Sequence, residues 1–475
     1  MSKRTENAFH FAACAAFLAA MPATAPAQKP LLPDAPAAQI ATSLTQVSTS
    51  AVAADPQSQH GAQPALPPAG PSLTIAQAEQ MAIRNNPNIS VARLLALAQA
   101  QVTREVRSAE LPMATGNLTA VDAHENSRIT AGLLNNPTVY NRAAGGLTVS
   151  QLITDFGRTH NLVLSAESSA KAQLESERAT ELDITLTVDQ AFYQALTAQA
   201  VLKVAQETVT ERQATADQVT ALTKAKIRSD LDRSFADVQV SQSQLLLLDA
   251  QNNAQSAMAA LNDVLGSEQD QQYTLIDETN GTPPAAPSDP EGLVNAAFSA
   301  RPDLAAMNDN FAAAREFSTA ERDLWLPSLT AMAAVGGTPV RADEIQSSWY
   351  GAAGANLSIP VFNGFLFNAE ARDAKLRAQA AQENVRNLRD AIARDVRTAV
   401  LNAQTAYQRI AVTKQLLDQA NFALDLASAR YKIGLSGIVE ISQAQLNQTQ
   451  AEIDNTNARY SYETALAVLR YEIGQ

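Results

Sequence analysis

The sequence contains an internal repeat, and this feature constrains its fold more than any local pattern does. Pro87 recurs as Pro302 and Pro112 recurs as Pro327, and each pair is separated by 215 residues. Because the residue before a proline is disfavoured in a helix, the prolines bracket one segment of helical pattern in each half. The chain is therefore predicted to contain two structurally equivalent halves.

A later stretch of the repeat keeps a shorter offset. Residues 150–157 match residues 358–365 at an offset of 208, and Gly266 matches Gly474 at the same offset. The first half therefore has seven more residues than the second. The extra residues fall around 122–144, where a surface loop tolerates additional length.

Alternating apolar residues predict two strands in each half. We expect them at about 113–122 and 145–154 in the first half, and at about 328–337 and 350–361 in the second. Each has roughly 10 residues, the length that a tilted strand needs to cross a bilayer. A small soluble hairpin in each half is the alternative, because barrel strands give a weak signal individually.

Two very long helices are predicted after the strands, at about 158–224 and 369–431. Both contain apolar or small residues at a seven-residue period, which makes helices supercoil around their neighbours. These positions are Val188, Ala195, Leu202, Val209, Ala216 and Thr223, then Val396, Ala403, Ile410, Leu417, Leu424 and Tyr431. Breaks at 227–229 and 434–437 predict tip turns, after which returning helices complete two hairpins.

The first 27 residues have the parts of a secretory signal: a basic start at Lys3, an apolar stretch at 8–21, and small residues at 25–27. Cleavage before Gln28 would leave a mature chain without a thiol or a disulfide. Lipidation of Cys14 is the alternative, although few apolar residues precede this cysteine.

The remaining chain divides into a tether, two repeats and a linker. Residues 28–72 contain eight prolines among Ala, Gln and Ser, a composition that predicts a disordered tether. The first repeat is predicted at 73–266 and the second at 291–475. The linker at 267–290 ends in an Asp-Pro pair, which suits a helix cap and first turn.

Composition and residue placement exclude several classes of function. A net charge of −13 argues against nucleic acid, which needs clustered Lys and Arg. The histidines, His10, His60, His124 and His160, are scattered, so we predict no catalytic residue, no cofactor and no metal site. No run of 18 apolar residues, the length of a transmembrane helix, follows the secretory signal. Insertion into a membrane would therefore rely on strands.

The doubled order of strands and hairpins resembles the TolC-like outer membrane factors from Leu73 onward. The motifs that carry the resemblance are Asn85-Asn86-Pro87, Leu111-Pro112, Ser150 to Gly157, and Tyr431-Lys432-Ile433-Gly434. The resemblance implies a mainly α-helical homotrimer. Four strands from each chain would form a 12-stranded outer-membrane barrel, and the helices would form a periplasmic tunnel.

The same resemblance implies the outer-membrane exit duct of a tripartite efflux or type I secretion system. Such a duct lies in outer-membrane lipid and passively conducts substrates that an inner-membrane RND, ABC or MFS transporter delivers. A periplasmic adaptor (membrane fusion) protein is the other partner of the duct. The alternative is a soluble periplasmic coiled-coil structural or adaptor protein. An adaptor would show one helical hairpin, whereas this sequence shows two in tandem.

The resemblance also implies a periplasmic gate at the helical tips. Tyr431 falls on the family's gating tyrosine, Asp232 on the acid that it hydrogen-bonds, and Glu440 on an acid of the constriction. Two positions depart from the family, because Gln443 replaces a second acid and Ser436 replaces an arginine. We therefore expect fewer locking contacts. The alternative for each residue is an ordinary solvated helix face.

Overall fold

The computed structural model describes residues 70–122, 142–267, 271–278, 283–341 and 347–475. The predicted signal peptide, the tether up to residue 69 and most of the predicted loop at 122–144 lie outside the described residues, so those interpretations stay predictions. Residues 70–72 of the predicted tether are described, and Ser72 lies in a short strand. The structured part of the chain therefore begins slightly earlier than the predicted boundary at residue 73.

The described ranges form eight α-helices and six strands. The helices are α1 (Ile75–Asn85), α2 (Pro87–Arg107), α3 (Arg158–Lys224), α4 (Asp230–Val264), α5 (Pro290–Ala300), α6 (Pro302–Arg322), α7 (Leu366–Lys432) and α8 (Ile438–Glu472). The strands are β1 (Ser72–Leu73), β2 (Met113–Val121), β3 (Arg142–Thr154), β4 (Thr274–Leu275), β5 (Ser328–Val340) and β6 (Trp349–Ser358).

The repeat is confirmed at the level of single residues. Helices α1 and α2 correspond to α5 and α6 at an offset of 215, and α3 and α4 correspond to α7 and α8 at an offset of 208. Backbone conformation repeats as well. Positive φ angles occur at the equivalent pairs Phe156 and Gly364, Gly157 and Phe365, Lys226 and Gly434, and Gly266 and Gly474.

The long helices pair into hairpins as predicted. Helices α3 and α7 each have 67 residues, so each is about 100 Å long at 1.5 Å per residue. The predicted bounds of α3 are confirmed, whereas α7 begins at Leu366, three residues earlier than expected. All twelve positions of the predicted seven-residue period are buried or half-buried, which agrees with packing between helices.

Four strands form one antiparallel sheet in the order β2-β3-β5-β6. Strands β3 and β5 pair with each other and so join the two repeats. Strand β3 begins at Arg142, earlier than predicted, and β5 continues to Val340. Strand β6 ends at Ser358 and not at residue 361, because Pro360 has no N–H to donate to a neighbouring strand.

The two faces of this sheet differ in polarity. The register places Leu147 opposite Val335 and Val149 opposite Ala333, which confirms that these alternating residues share a face. Apart from Thr154, which pairs with Leu329 beyond a register shift, Gln151 is the one polar side chain on that face among the described paired residues. Its amide donates to two backbone carbonyl oxygens at 2.8 Å. The opposite face carries polar side chains that include Asn117, Thr115, Thr148, Ser150, Thr330 and Asn356.

The segment between the repeats is more structured than a simple connection. Strand β4 pairs in parallel with β1, and both its Leu275 and the preceding Tyr273 are buried. The hydroxyl of Tyr462 on α8 donates to the carbonyl oxygen of Pro284 at 2.6 Å. The predicted cap is confirmed, because the carboxylate of Asp289 accepts from a backbone N–H of the first turn of α5 at 3.1 Å.

Within the ranges that the structure describes, no helix combines the length and the apolar character that a membrane span requires.

Candidate functional site

The candidate site lies where the two hairpins turn. Helix α3 ends at Lys224, and α4 starts after Ser229, whose hydroxyl accepts from the N–H of Asp232 at 3.2 Å. In return the Asp232 carboxylate accepts from the N–H of Ser229 at 3.4 Å, which completes a capping box. In the second repeat the chain turns through Gly434, which has a φ of 80°.

Tyr431 is the buried centre of this region. It is 2% exposed and belongs to an apolar cluster contributed by all four long and returning helices. The other buried members are Ala216, Val219, Ala236, Ile438 and Ile441. The cluster brings together the tips of the first and the second repeat.

A residue that sequence analysis did not assign makes the polar contact between the tips. The guanidinium of Arg228 donates from Nη2 to the backbone carbonyl oxygen of Tyr431 at 2.7 Å. Its Cζ atom also lies 4.2 Å from the centroid of the Tyr431 ring, within the range of a cation–π interaction. We call this pair of interactions the tip contact.

The predicted hydrogen bond between Asp232 and Tyr431 is not formed in this structure. The Tyr431 hydroxyl is buried and has no hydrogen-bond partner in the part of the chain that the structure describes. Burial raises the pKa of Tyr431, the Arg228 charge opposes that rise, and the Asp232 charge adds to it. The Asp232 carboxylate instead accepts from the Ser229 N–H and so completes the capping box of α4.

Glu440 and Gln443 both lie exposed on the first turns of α8. Glu440 forms an ion pair with Arg430 of α7, with an Nε to Oε1 distance of 3.1 Å. Gln443 donates to the side-chain oxygen of Asn447, one turn further along α8, at 2.9 Å. The structure thus connects these residues within the second hairpin and not to Asp232 or Tyr431.

The repeat offered the one sequence signal that could have identified Arg228. At the offset of 208, Arg228 is the first-repeat equivalent of Ser436, the position where the resemblance leads one to expect an arginine. The Ser436 hydroxyl is buried without a partner among the described residues. The arginine at this repeat position is therefore on the first tip, and it contacts the second.

Two tandem repeats, each with a strand pair and a helical hairpin about 100 Å long, define the fold of outer-membrane channel proteins. The chain belongs to the outer membrane efflux protein family, whose model matches residues 78–267 and 293–475.

Individual relatives agree with this assignment. Outer membrane protein TolC of Salmonella enteritidis is 24% identical over 416 residues, which cover 84% of this chain and 83% of that protein. The pyoverdine export outer membrane protein OpmQ of Pseudomonas aeruginosa is 28% identical over 315 residues, or 64% of this chain and 63% of that protein.

Solved structures share the fold. CusC aligns with a TM-score of 0.74 at 20% identity, over 84% of this chain and 92% of that chain. The CmeC outer membrane channel of Campylobacter jejuni aligns with a TM-score of 0.73 at 18% identity, over 84% and 85% of the two chains. The protein is accordingly an outer-membrane efflux channel with a periplasmic portion, in a family of non-enzymatic channels.

Proposed function

We propose that this protein is the outer-membrane exit duct of a tripartite efflux or type I secretion system and that it works as a homotrimer. The observation that carries the proposal is the four-stranded sheet with one apolar and one polar face. An apolar face suits contact with lipid, and a polar face suits a water-filled lumen. Substrates would pass through this lumen without chemical change.

The edges of the sheet support assembly of several copies. Among the described strands, β2 pairs only with β3, and β6 pairs only with β5. Unpaired backbone N–H and C=O groups are not tolerated in hydrocarbon, so the two edges must meet partners. Three copies would join β6 of one chain to β2 of the next and form the 12-stranded barrel that the family resemblance implies.

The helical tips support a partner at the periplasmic end. Ile227 on the first tip and its repeat equivalent Leu435 on the second are 68% and 70% exposed. Exposed apolar residues at both tips suit an end-on contact with another protein. The proposed partners are a periplasmic adaptor (membrane fusion) protein and an inner-membrane RND, ABC or MFS transporter.

The proposed gate comprises Asp232, Tyr431, Glu440 and Gln443, and we add Arg228 to it because it makes the tip contact. The ion pair between Arg430 and Glu440 compensates charge near the tips, and Gln443 is neutral. A trimeric ring of these residues would therefore attract cations weakly.

The test is native mass spectrometry combined with planar-bilayer recording on the purified protein. We expect a mass of three copies and discrete conductance steps. Heat-modifiable migration on a gel would accompany the trimer, because barrels resist unfolding. A monomer or dimer that produces no conductance and shows no heat-dependent migration would instead support the soluble coiled-coil alternative.

A further inference from the structure

A cavity of about 590 Å³ lies where the two repeats meet, far along the chain from the helical tips. Its walls are largely apolar and come from α1, α3, the segment between the repeats, α5 and α8. The apolar wall residues include Ile75, Pro284, Leu293, Leu466 and Ile473. This volume and this kind of lining are typical of sites for small molecules.

Four polar side chains also line the cavity. The polar lining residues are Tyr193 of α3, Glu463 and Arg470 of α8, and Glu278 of the segment between the repeats. An occupant would therefore contact both repeats at once.

The positive charge at this cavity is balanced by a group behind its wall. Arg470 Nη2 lies 3.4 Å from an oxygen of Asp189, whose side chain is only 6% exposed. The other nearby arginine, Arg459, lies on the same helix as Glu463 and faces Asp277 at 3.9 Å. Above about pH 7, where Asp189 with its raised pKa is ionised, each of these two arginines thus has a carboxylate partner.

The negative charges that line the cavity are not balanced in the same way. Glu463 and Glu278 both line it, and neither forms an ion pair within 4.0 Å in the described part of the chain. Burial raises the pKa of Glu463, Arg470 and Arg459 oppose this rise, and Asp277 adds to it. An entering cation would favour the charged carboxylate, whereas an entering anion would be repelled.

We propose that this cavity is a binding site for lipophilic organic cations. The apolar walls would remove the hydrocarbon part of the ligand from water, and Glu463 and Glu278 would select its charge. Because α3 and α8 belong to different repeats, a bound cation would bridge the two hairpins.

The probe for this proposal is tetraphenylphosphonium, compared with tetraphenylborate, an anion of nearly the same shape. Equilibrium dialysis would use the full purified chain in a neutral detergent, with a detergent-only blank. We expect saturable binding of the cation and little saturable binding of the anion. The Glu463→Gln variant keeps the side-chain shape and should weaken cation binding roughly tenfold, which equals about 1.4 kcal/mol.

Two further variants separate cavity binding from general adsorption. Leu466→Trp should abolish saturable binding, because the larger side chain fills the cavity. Glu452→Gln is the matched control, since it removes a partly buried carboxylate from the same helix outside the cavity, and it should leave binding unchanged.

Equal binding of cation and anion, or unchanged affinity in a folded Glu463→Gln variant, would overturn the proposal. Circular dichroism of each variant establishes that it is folded. The result is independent of conductance, so a failure here is distinguishable from a failure of the proposed duct.

Discussion

Replacing Arg228 with methionine should weaken closure of the helical tips. Methionine keeps most of the side-chain length but removes the donor to Tyr431 and the charge over its ring. A hydrogen bond from a charged donor contributes about 1.5–3 kcal/mol. A cation–π contact at an exposed site adds about 0.5–1 kcal/mol. Arg228 is half-buried, so solvent screening favours the lower end of both ranges.

The combined loss should be about 2 kcal/mol for each chain, which corresponds to roughly a 30-fold shift in the equilibrium between separated and joined tips. In a trimer the same contact would be lost three times. The assay is single-channel recording in planar bilayers, with the open probability as the measured quantity. We expect Arg228→Met to be open far more often than the wild type.

Arg233→Met is the matched control for charge, because Arg233 lies on the same tip and forms an exposed pair with Asp237 at 3.7 Å. It should behave like the wild type. Tyr431→Phe should also leave the open probability nearly unchanged, because the hydroxyl that it removes has no partner in the described chain and the ring remains beneath Arg228.

Two results would refute this reasoning. The first is an Arg228→Met channel with wild-type open probability in intact trimers. The second is a Tyr431→Phe channel that opens as readily as Arg228→Met, since that would place the closing interaction at the tyrosine hydroxyl.

Three further predictions concern stability. Lys226→Gly should slow amide hydrogen exchange at the first tip, with the free energy of local opening raised by about 1 kcal/mol. Lys226 has a φ of 58°, a left-handed conformation that glycine adopts without strain, and its repeat equivalent is Gly434. Unchanged exchange would contradict this prediction. Arg212→Met should raise the free energy of unfolding, measured in urea, by about 1 kcal/mol. The buried Arg212 guanidinium donates to Thr449, but its Nη1 has no partner within the described ranges. A loss of stability would show that the charge is compensated. Burial and a neighbouring carboxylate raise the pKa of Asp189 from 3.8 to about 7. The folded state therefore binds this proton more tightly than the unfolded state, and stability should fall as pH rises from about 4 to 7. Asp189→Asn should remove this decrease of the thermal unfolding temperature with pH, and an unaltered decrease would count against the assignment.

Much of the fold could be predicted because the sequence pattern of each repeated element occurs twice in the chain. The paired prolines placed the starts of α2 and α6, and the paired glycines Gly266 and Gly474 placed the ends of the returning helices. The seven-residue period placed the buried seams of α3 and α7. Strand β4 was missed because two residues are too short to show alternation.

The candidate site could be predicted only in part. The tips and the burial of Tyr431 follow from chain order and helical period. The partner of Tyr431 does not, because Arg228 is separated from it by 203 residues and reaches it through the way the two hairpins pack. Asp232 could have been recognised as the capping-box partner of Ser229, which precedes it by three residues. A local requirement of helix α4 thus competes with the long-range role that the family resemblance implies.

The most direct test of the proposed duct is chemical blocking of its lumen. Single cysteines would replace Thr148 on the polar face or Leu147 on the apolar face, in a Cys14→Ser background, and each protein would be reconstituted in a planar bilayer. A charged methanethiosulfonate added to the aqueous phase should reduce conductance through Thr148→Cys channels and leave Leu147→Cys channels unaffected. Equal block at both positions, or block at Leu147→Cys alone, would contradict a lumen lined by the polar face.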